Sequence, residues 1–380
     1  MAAELIELER QGEHVTVFAL ARPDEPFAHG FLHELRATVV YLPNRPLRQP
    51  LRVVFALVRC IRRAPRAWLG AARVSLWPPR LVGLRRLLQA CVLRDELADA
   101  RIDHVHAHFA TAAARLANLA WRMGGPSYSV TAHAKDIYHR EVRLDHLRDK
   151  LAPASFVATV TEANRAHLAT VLGDPSHVHL VPNSVDLRRI PPERRPEPGL
   201  ALAVARQVEK KGLDDLVAAA VILVARGVPL RLELVGDGPL RPTLERAARR
   251  SGLDAVFHGP LPHERVLELY RRAAVFCLPC VVASTGDRDG LPTSLLEALA
   301  SGVPVVATAV NGLAEVVLHE RTGLVVPERD PHALALALER VVTDPAFAQR
   351  LGSAGRRHVE QGFSLVRSAA LLRSLFPEAA

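Results

Sequence analysis

The sequence predicts an α/β protein made of two doubly wound, Rossmann-like parallel sheets that face a cleft. Apolar strand-like runs alternate with helical stretches almost throughout the 380 residues, the pattern of a parallel sheet covered by helices. The segment "LRRIPPERRPEPG" (187–199) is rich in Pro, Arg and Glu, can continue neither element, and reads as a linker. After it the alternation restarts, and the chain is long enough for two ordinary domains, each with its own core.

Taken in order, the chain opens inside a helix, "AELIELERQGE", ahead of the strand "HVTVFAL" (14–20). "HVHAHFA" (104–110), "SYSVTAHA" (127–134), "SFVATVT" (155–161) and "HVHLVPN" (177–183) are the next strands, with helices such as "TAAARLANLAWRMG" (111–124) between them. Beyond the linker come "LALAVA" (200–205), "LRLELVGDG" (230–238), "AVFHG" (255–259), "AVFCLPC" (274–280), "PVVAT" (304–308) and "GLVVP" (323–327). The expected units are 1–190 and 197–362, with residues 363–380, including the helix "FSLVRSAALLRSLF", packing back on the first unit as the resemblance given below implies. A doubly wound domain normally opens with a strand and a glycine-bearing loop. The first unit is therefore expected to start late by about one strand; a naturally smaller first sheet is the alternative.

A hydrophobic content of 49% and a charged content of 23% describe a globular chain and exclude a disordered one. No uncharged apolar run reaches the ~18 residues of a membrane-spanning helix, and "MAAELIELERQGEHV" lacks the plan of a signal peptide. Cys60, Cys91, Cys277 and Cys280 are too few for a disulfide scaffold, so a reducing, cytoplasmic setting is expected. The net charge of +9 is carried by one stretch, residues 42–94, which holds twelve Arg and no Asp or Glu. There Arg mixes with Val, Leu, Phe55, Trp68 and Trp77, as an anionic lipid surface requires. The plain alternative is a solvated arginine face. Aromatics at 5% and the lack of a binding motif weigh against nucleic acid.

Several stretches carry chemistry. In "ARQVEKKG" (205–212), Arg206 and Lys211 fall in a strand-to-helix loop, where two cations near a helix N-terminus suit a diphosphate. The glycines of "LVGDGPL" (234–240) permit close backbone approach. "DRDGLPTSLLEALASGVPVVAT" (287–308) puts Asp289 in a loop and Glu297 about two turns into a helix. The two could hold both ends of one polar ligand, or be a loop acid and an unrelated helix charge. His104, His106 and His108 share one face of a strand; ligands that close rarely converge on one metal, so His108 is expected to line the cleft while the others pack. Cys277 and Cys280 form C-x-x-C with no second pair close in sequence, and core packing is the default. Glu315 reads as a helix-end acid.

Taken together, "ARQVEKKG", "LVGDGPL", "VFHGPLPHERVLELYRRAAVFCLPC" and "DGLPTSLLEALASGVPVVATAVNGLAEVV" stand in one order, after "HAHFA" (106–110), "TAHAKDIY" (131–138), "ATVTEANRAHL" (158–168) and "VPNSVDL" (181–187). In these segments the chain resembles the retaining glycosyltransferases of family 4, whose fold is the two-domain GT-B arrangement. The wording is most like the branch that builds exopolysaccharides, including colanic-acid types. The resemblance implies roles. Glu297 matches the acid that holds the nucleotide ribose. Asp289 stands where the first Glu of the family's pair, which contacts the transferred sugar, is expected; its side chain is shorter by one methylene, which could lose that contact or favour a differently shaped sugar. Arg206 and Lys211 match the diphosphate grip, and Gly290, Leu291, Pro292 and Thr293 the turn beside phosphate and sugar. Gly236 and His258 fall on the donor side. His133 matches the first-domain histidine near the reacting carbon, with Asp136 three residues on, and His108 and Asn183 belong to the cleft. Ser184 replaces the glycine that often follows Asn183, Cys280 stands where a small serine is common, and the first-domain glycine loop has no counterpart.

The implied activity is retaining transfer of a hexosyl group from a nucleoside diphosphate sugar to a lipid-linked or polysaccharide acceptor. It would run without metal or other cofactor, on the inner membrane face, with Arg206 and Lys211 opposing charge on the leaving phosphate and closure excluding water. Two alternatives are a catalytically weak nucleotide-sugar-binding relative, suggested by Asp289 and the late start, and another GT-B enzyme such as a nucleotide-sugar epimerase. No glycine fingerprint for a dinucleotide follows a first strand.

Overall fold

The computed structural model describes residues 1–21, 30–76 and 81–377; Trp77 lies outside the described residues. The second half holds strands β7 Leu200–Val204, β8 Arg231–Val235, β9 Ala255–Gly259, β10 Val275–Leu278, β11 Val305–Thr308 and β12 Leu324–Val326. They form one parallel sheet ordered β12-β11-β10-β7-β8-β9. Every residue of β10 and β11 is buried, which is why these strands read as unbroken apolar runs. Strand order reverses between β7 and β10. The crevice beyond their carboxyl ends is where open α/β sheets take ligands, and the loops following these two strands are 205–212 and 279–292.

The first half has β1 Thr16–Ala19, β2 Thr38–Tyr41, β3 His104–His108, β4 Ser127–Ala132, β5 Val157–Thr159 and β6 Val178–Leu180. They do not join into one sheet. β1 and β2 form a parallel pair, while β3-β4-β5-β6 form a separate four-stranded parallel sheet. A groove of about 750 Å³ lies between the two, with Val15 and Thr16 on one wall and His104, His106 and His108 on the other. β2 is not foreseen in the sequence reading, although its residues "TVVY" are β-branched and aromatic; in the fold it is four residues long and three of them are exposed.

Three helices, Pro50–Arg63, Pro65–Leu76 and Leu81–Asp99, fill the Arg-rich stretch. Their inner faces share a core with helix Ala112–Arg122 through Ala56, Cys60, Ala71, Cys91, Leu116 and Leu119. At the other end of the chain, helix Pro345–Gly362 lies on the second half, where a Cβ at Gly352 would meet the Gly302 carbonyl at 2.1 Å. Helix Leu365–Ser374 then crosses to the first half, where Ala369 and Leu372 pack with Leu8, Phe156 and Val181.

Candidate functional site

The loop after β7 turns into helix Leu213–Ala225 through Gly212, whose φ of 59° is left-handed and whose missing side chain admits the Pro279 carbonyl. This holds Lys210 and Lys211 against the loop that follows β10. Both lysines are buried. Lys211 Nζ lies 2.5 Å from Asp289 Oδ2, and Lys210 Nζ lies 3.3 Å from Asp289 Oδ1 and 3.2 Å from Asp287. Burial works against charge on Asp289, but Lys211 and then Lys210 hold its carboxyl below the usual range. Burial also opposes the Lys211 ammonium, and the neighbouring Cys280 and Asp289 raise its pKa overall. Arg206 is exposed and close enough to bear on Lys211 electrostatically. The turn of Gly236 and Gly238 locks onto this loop: added Cβ atoms would meet the carbonyls of Ala205 and Gln207 at 2.2 and 2.4 Å. Among the described residues no side chain caps the N-termini of helices 213–225 or Thr293–Ala300, and their dipoles add to the positive field.

Glu297 is the fifth residue of helix 293–300, just over one turn from its start rather than two. His263 Nε2 lies 3.2 Å from its Oε1, and the Tyr270 hydroxyl donates to it at 3.3 Å. That hydrogen bond, against the cost of burial, raises the pKa of His263.

From the first half, β4 delivers His133 as the residue preceding helix Ala134–Tyr138. Asp136 accepts from the backbone N–H groups of His133 at 3.1 Å and Ala110 at 2.9 Å. It therefore braces His133 from a buried position rather than lining the cleft itself. Burial, then His108, pushes the His133 pKa down to about 4, so its imidazole is neutral at neutral pH. Its ring lies 4.8 Å from Phe109 and 6.5 Å from His108. Phe109 is 45% exposed with φ 75°, a strained conformation of the kind that gathers at functional sites. His108 Nε2 lies 3.0 Å from Glu4, while His104 and His106 bond the hydroxyls of Ser127, Ser129 and Thr131.

The two halves meet at turn 285–292. Asn183 Nδ2 donates to the Leu291 carbonyl at 2.7 Å, Arg140 N–H donates to the Thr285 carbonyl at 2.8 Å, and the Arg288 guanidinium sits 4.4 Å over the Tyr138 ring. A Cβ on Gly290 would lie 3.7 Å from Ala134 and 3.1 Å from Val160. The structure thus gathers Asn183, Lys211, Asp289, Gly290 and Leu291 around one turn, with Pro292, Thr293 and Glu297 continuing from it and Ala134, the neighbour of His133, against Gly290. His258 does not join them. It pairs with buried Glu233 at 2.8 Å, which also meets Arg231 and Arg272. The free thiols Cys277 and Cys280 are buried in separate core clusters, and Cys280 Sγ donates to Asp289 at 3.2 Å. Sequence reasoning missed Lys210 and His263. The lysine doublet and the helix-start histidine of "PLPHERV" were their available signals.

Known proteins resemble this chain in sequence and in fold. The family pattern described as Glycosyltransferase Family 4 matches residues 2–189, and that described as Glycosyl transferases group 1 matches 186–358. A Salmonella typhimurium protein named as the colanic acid biosynthesis glycosyltransferase WcaL is 32% identical over 346 residues, covering 86% of this chain and 83% of the relative. Among solved structures, HepE of Anabaena in complex with UDP and glucose has a TM-score of 0.73 at 16% identity, covering 98% of this chain and 95% of its own. Sucrose-phosphate synthase of Thermosynechococcus elongatus also has a TM-score of 0.73, at 22% identity, covering 98% and 90%. These two likenesses show the GT-B fold.

Proposed function

The chain belongs to glycosyltransferase family 4, and from that premise we propose that it transfers a hexosyl group with retention from a nucleoside diphosphate sugar to a lipid-linked or polysaccharide acceptor in exopolysaccharide assembly. The observation that carries the reading is the convergence of Arg206, Lys210 and Lys211 with turn 289–293 at the strand-order switch. Breaking the bond from sugar to diphosphate builds negative charge on the leaving phosphate. Fixed cations in a partly dry crevice oppose that charge with little reorganisation. In this reading Glu297 takes the ribose hydroxyls, Asp289 and His133 flank the sugar, and no metal takes part. The acceptor hydroxyl attacks from the leaving-group face and gives its proton to the departing phosphate.

The acceptor side is read from helix 50–63. Leu51, Val54, Phe55, Val58 and Ile61 are exposed along it, with Leu51 at 73% and Phe55 at 62%, a spacing that forms one apolar stripe. Exposed Arg48, Arg62 and Arg66 border the stripe. Other arginines of the segment are engaged internally: Arg52 with Glu96, and Arg59 and Arg63 with Asp95. No described helix is long and apolar enough to cross a membrane. From the exposed apolar stripe and the arginines beside it we infer that this helix rests on an anionic leaflet. Incubation with UDP- and GDP-sugars and a membrane extract, with and without EDTA, tests the reading. Product of inverted anomeric configuration, or activity abolished by EDTA, overturns the corresponding part.

A further inference from the structure

Helix Glu162–Leu172 belongs to the first half, yet its N-terminus is completed by the second. Thr161 Oγ1 accepts from Asn164 N–H at 3.2 Å, which covers one of the first orphan donors. The N–H groups of Glu162 and Ala163 donate instead to the two carboxylate oxygens of Glu315, at 2.9 and 3.1 Å. Asn311, held at φ 48°, sits beside this contact. Its Nδ2 donates both to Asn164 Oδ1 and to the carbonyl of Asp289, each at 3.1 Å. Asn164 is fully buried. Between these residues Gly312 approaches so closely that a Cβ would stand 2.1 Å from Thr161 Cγ2 and 2.9 Å from the Gly290 carbonyl.

We propose that Glu315 and Asn311 are positioning residues forming an interdomain clasp, through which seating of the first-domain helix fixes the backbone of Asp289 and Gly290. The clasp rests on the donor-site reading above, because what it holds is the turn given there to the sugar and diphosphate. Its chemistry suits a contact that opens and closes. A carboxylate on a helix N-terminus gains from two charge-assisted hydrogen bonds and from the dipole. Glu315 is only half-buried, so water can satisfy both partners when the halves part. Asn311 carries the link onward, since one amide group touches both the helix and the turn. An aspartate at 315 would fall one methylene short of the helix, and a glutamine would keep a single accepting oxygen.

The test uses the full chain with Glu315→Ala, Glu315→Gln and Asn311→Gly, the last tolerated by the left-handed backbone. Hydrogen exchange is followed at 162–164 and 286–292, and calorimetry gives the affinity for UDP and for GDP. Glu315→Ala is expected to speed exchange at both segments and to weaken the preferred nucleotide about five-fold, the size of one lost helix cap. Glu315→Gln should fall between, and Asn311→Gly should speed exchange at 286–292 with 162–164 less affected. Faster exchange confined to 162–164, with nucleotide affinity unchanged in both Glu315→Ala and Asn311→Gly, would make Glu315 a local cap and overturn the clasp. Wild-type protein that binds neither nucleotide overturns the donor reading, while exchange at 286–292 still decides the clasp.

Discussion

Lys211 Nζ stands 2.5 Å from Asp289 Oδ2, so the acid given to the sugar and a cation given to the diphosphate neutralise each other. Removing the charge with Asp289→Asn should free Lys211 for phosphate, while Lys210 keeps Asp287 as a partner. We expect tighter binding of UDP or GDP by calorimetry, together with lower thermal stability, because a buried ammonium loses its partner. Asp289→Glu restores one methylene of reach and should keep or raise transfer; a folded but inactive Glu variant would remove the position from sugar contact.

Arg206 is exposed, unlike its two lysine neighbours, so its loss should spare the fold. Arg206→Ala should weaken nucleoside diphosphate binding by about 1.5–3 kcal/mol, the worth of a hydrogen bond to a charged group. Unchanged affinity would take it out of the site.

With Glu297 proposed to take the ribose, the His263–Glu297 contact should give nucleotide binding a pH dependence. The hydrogen bond that the His263 ring donates to Glu297 raises the folded pKa of His263. The stability it adds is thus fully present below the unfolded value near 6.5 and lost as pH rises through the raised folded value. Ribose hydroxyls must compete with that contact for Glu297. Affinity should therefore increase as pH rises and His263 loses its proton, and His263→Asn should flatten the profile. A profile already flat in the wild type would contradict the competition.

The strands were legible wherever burial on both faces left an apolar run, as in β10 "VFCL" and β11 "VVAT". β2, "TVVY", has the β-branched and aromatic residues of a strand, but its pairing with β1 alone and its exposure do not follow from them. The loop positions of Arg206, Lys211 and Asp289 followed from strand ends alone, since a parallel sheet sends the loops after neighbouring strands to one edge. What each side chain touches did not follow. Glu297 finds His263 across 34 residues and Asn311 finds Asn164 across 147, and linear spacing carries no trace of either. His258 shows the same blindness from the other side, because its partner Glu233 sits on the neighbouring strand β8. Charge in the Arg-rich stretch was legible as a total. Its division between internal ion pairs and free surface was not, because Asp95 and Glu96 lie just beyond the stretch and only the packing of helices 50–63 and 81–99 brings them back.

If the stripe on helix 50–63 meets lipid, sedimentation with vesicles should require anionic lipid and fall as salt screens Arg48, Arg62 and Arg66. Phe55→Ser should weaken binding at every salt concentration, because it removes apolar burial and leaves charge untouched. Equal binding to neutral vesicles would defeat this surface.

Acid sensitivity should come from three histidines around the groove and cleft. Burial pushes His104 down to about 4, His106 to about 3 and His133 to about 4. In the unfolded chain each imidazole takes its proton near pH 6.5, while in the fold it stays neutral well below that. The unfolded state thus binds more protons in this window. Stability must fall as pH drops from about 6.5 towards 4, each imidazole contributing a slope of up to about 1.4 kcal/mol per pH unit. Above pH 6.5 their contribution is complete and flat. Urea melts at pH 7.5, 6.5, 5.5 and 4.5 would show the slope. His106→Gln, keeping a hydrogen-bonding group beside the Ser129 and Thr131 hydroxyls, should reduce it by close to one proton. An unchanged slope in that variant would mean that His106 is already charged in the fold, contrary to the burial that holds it neutral.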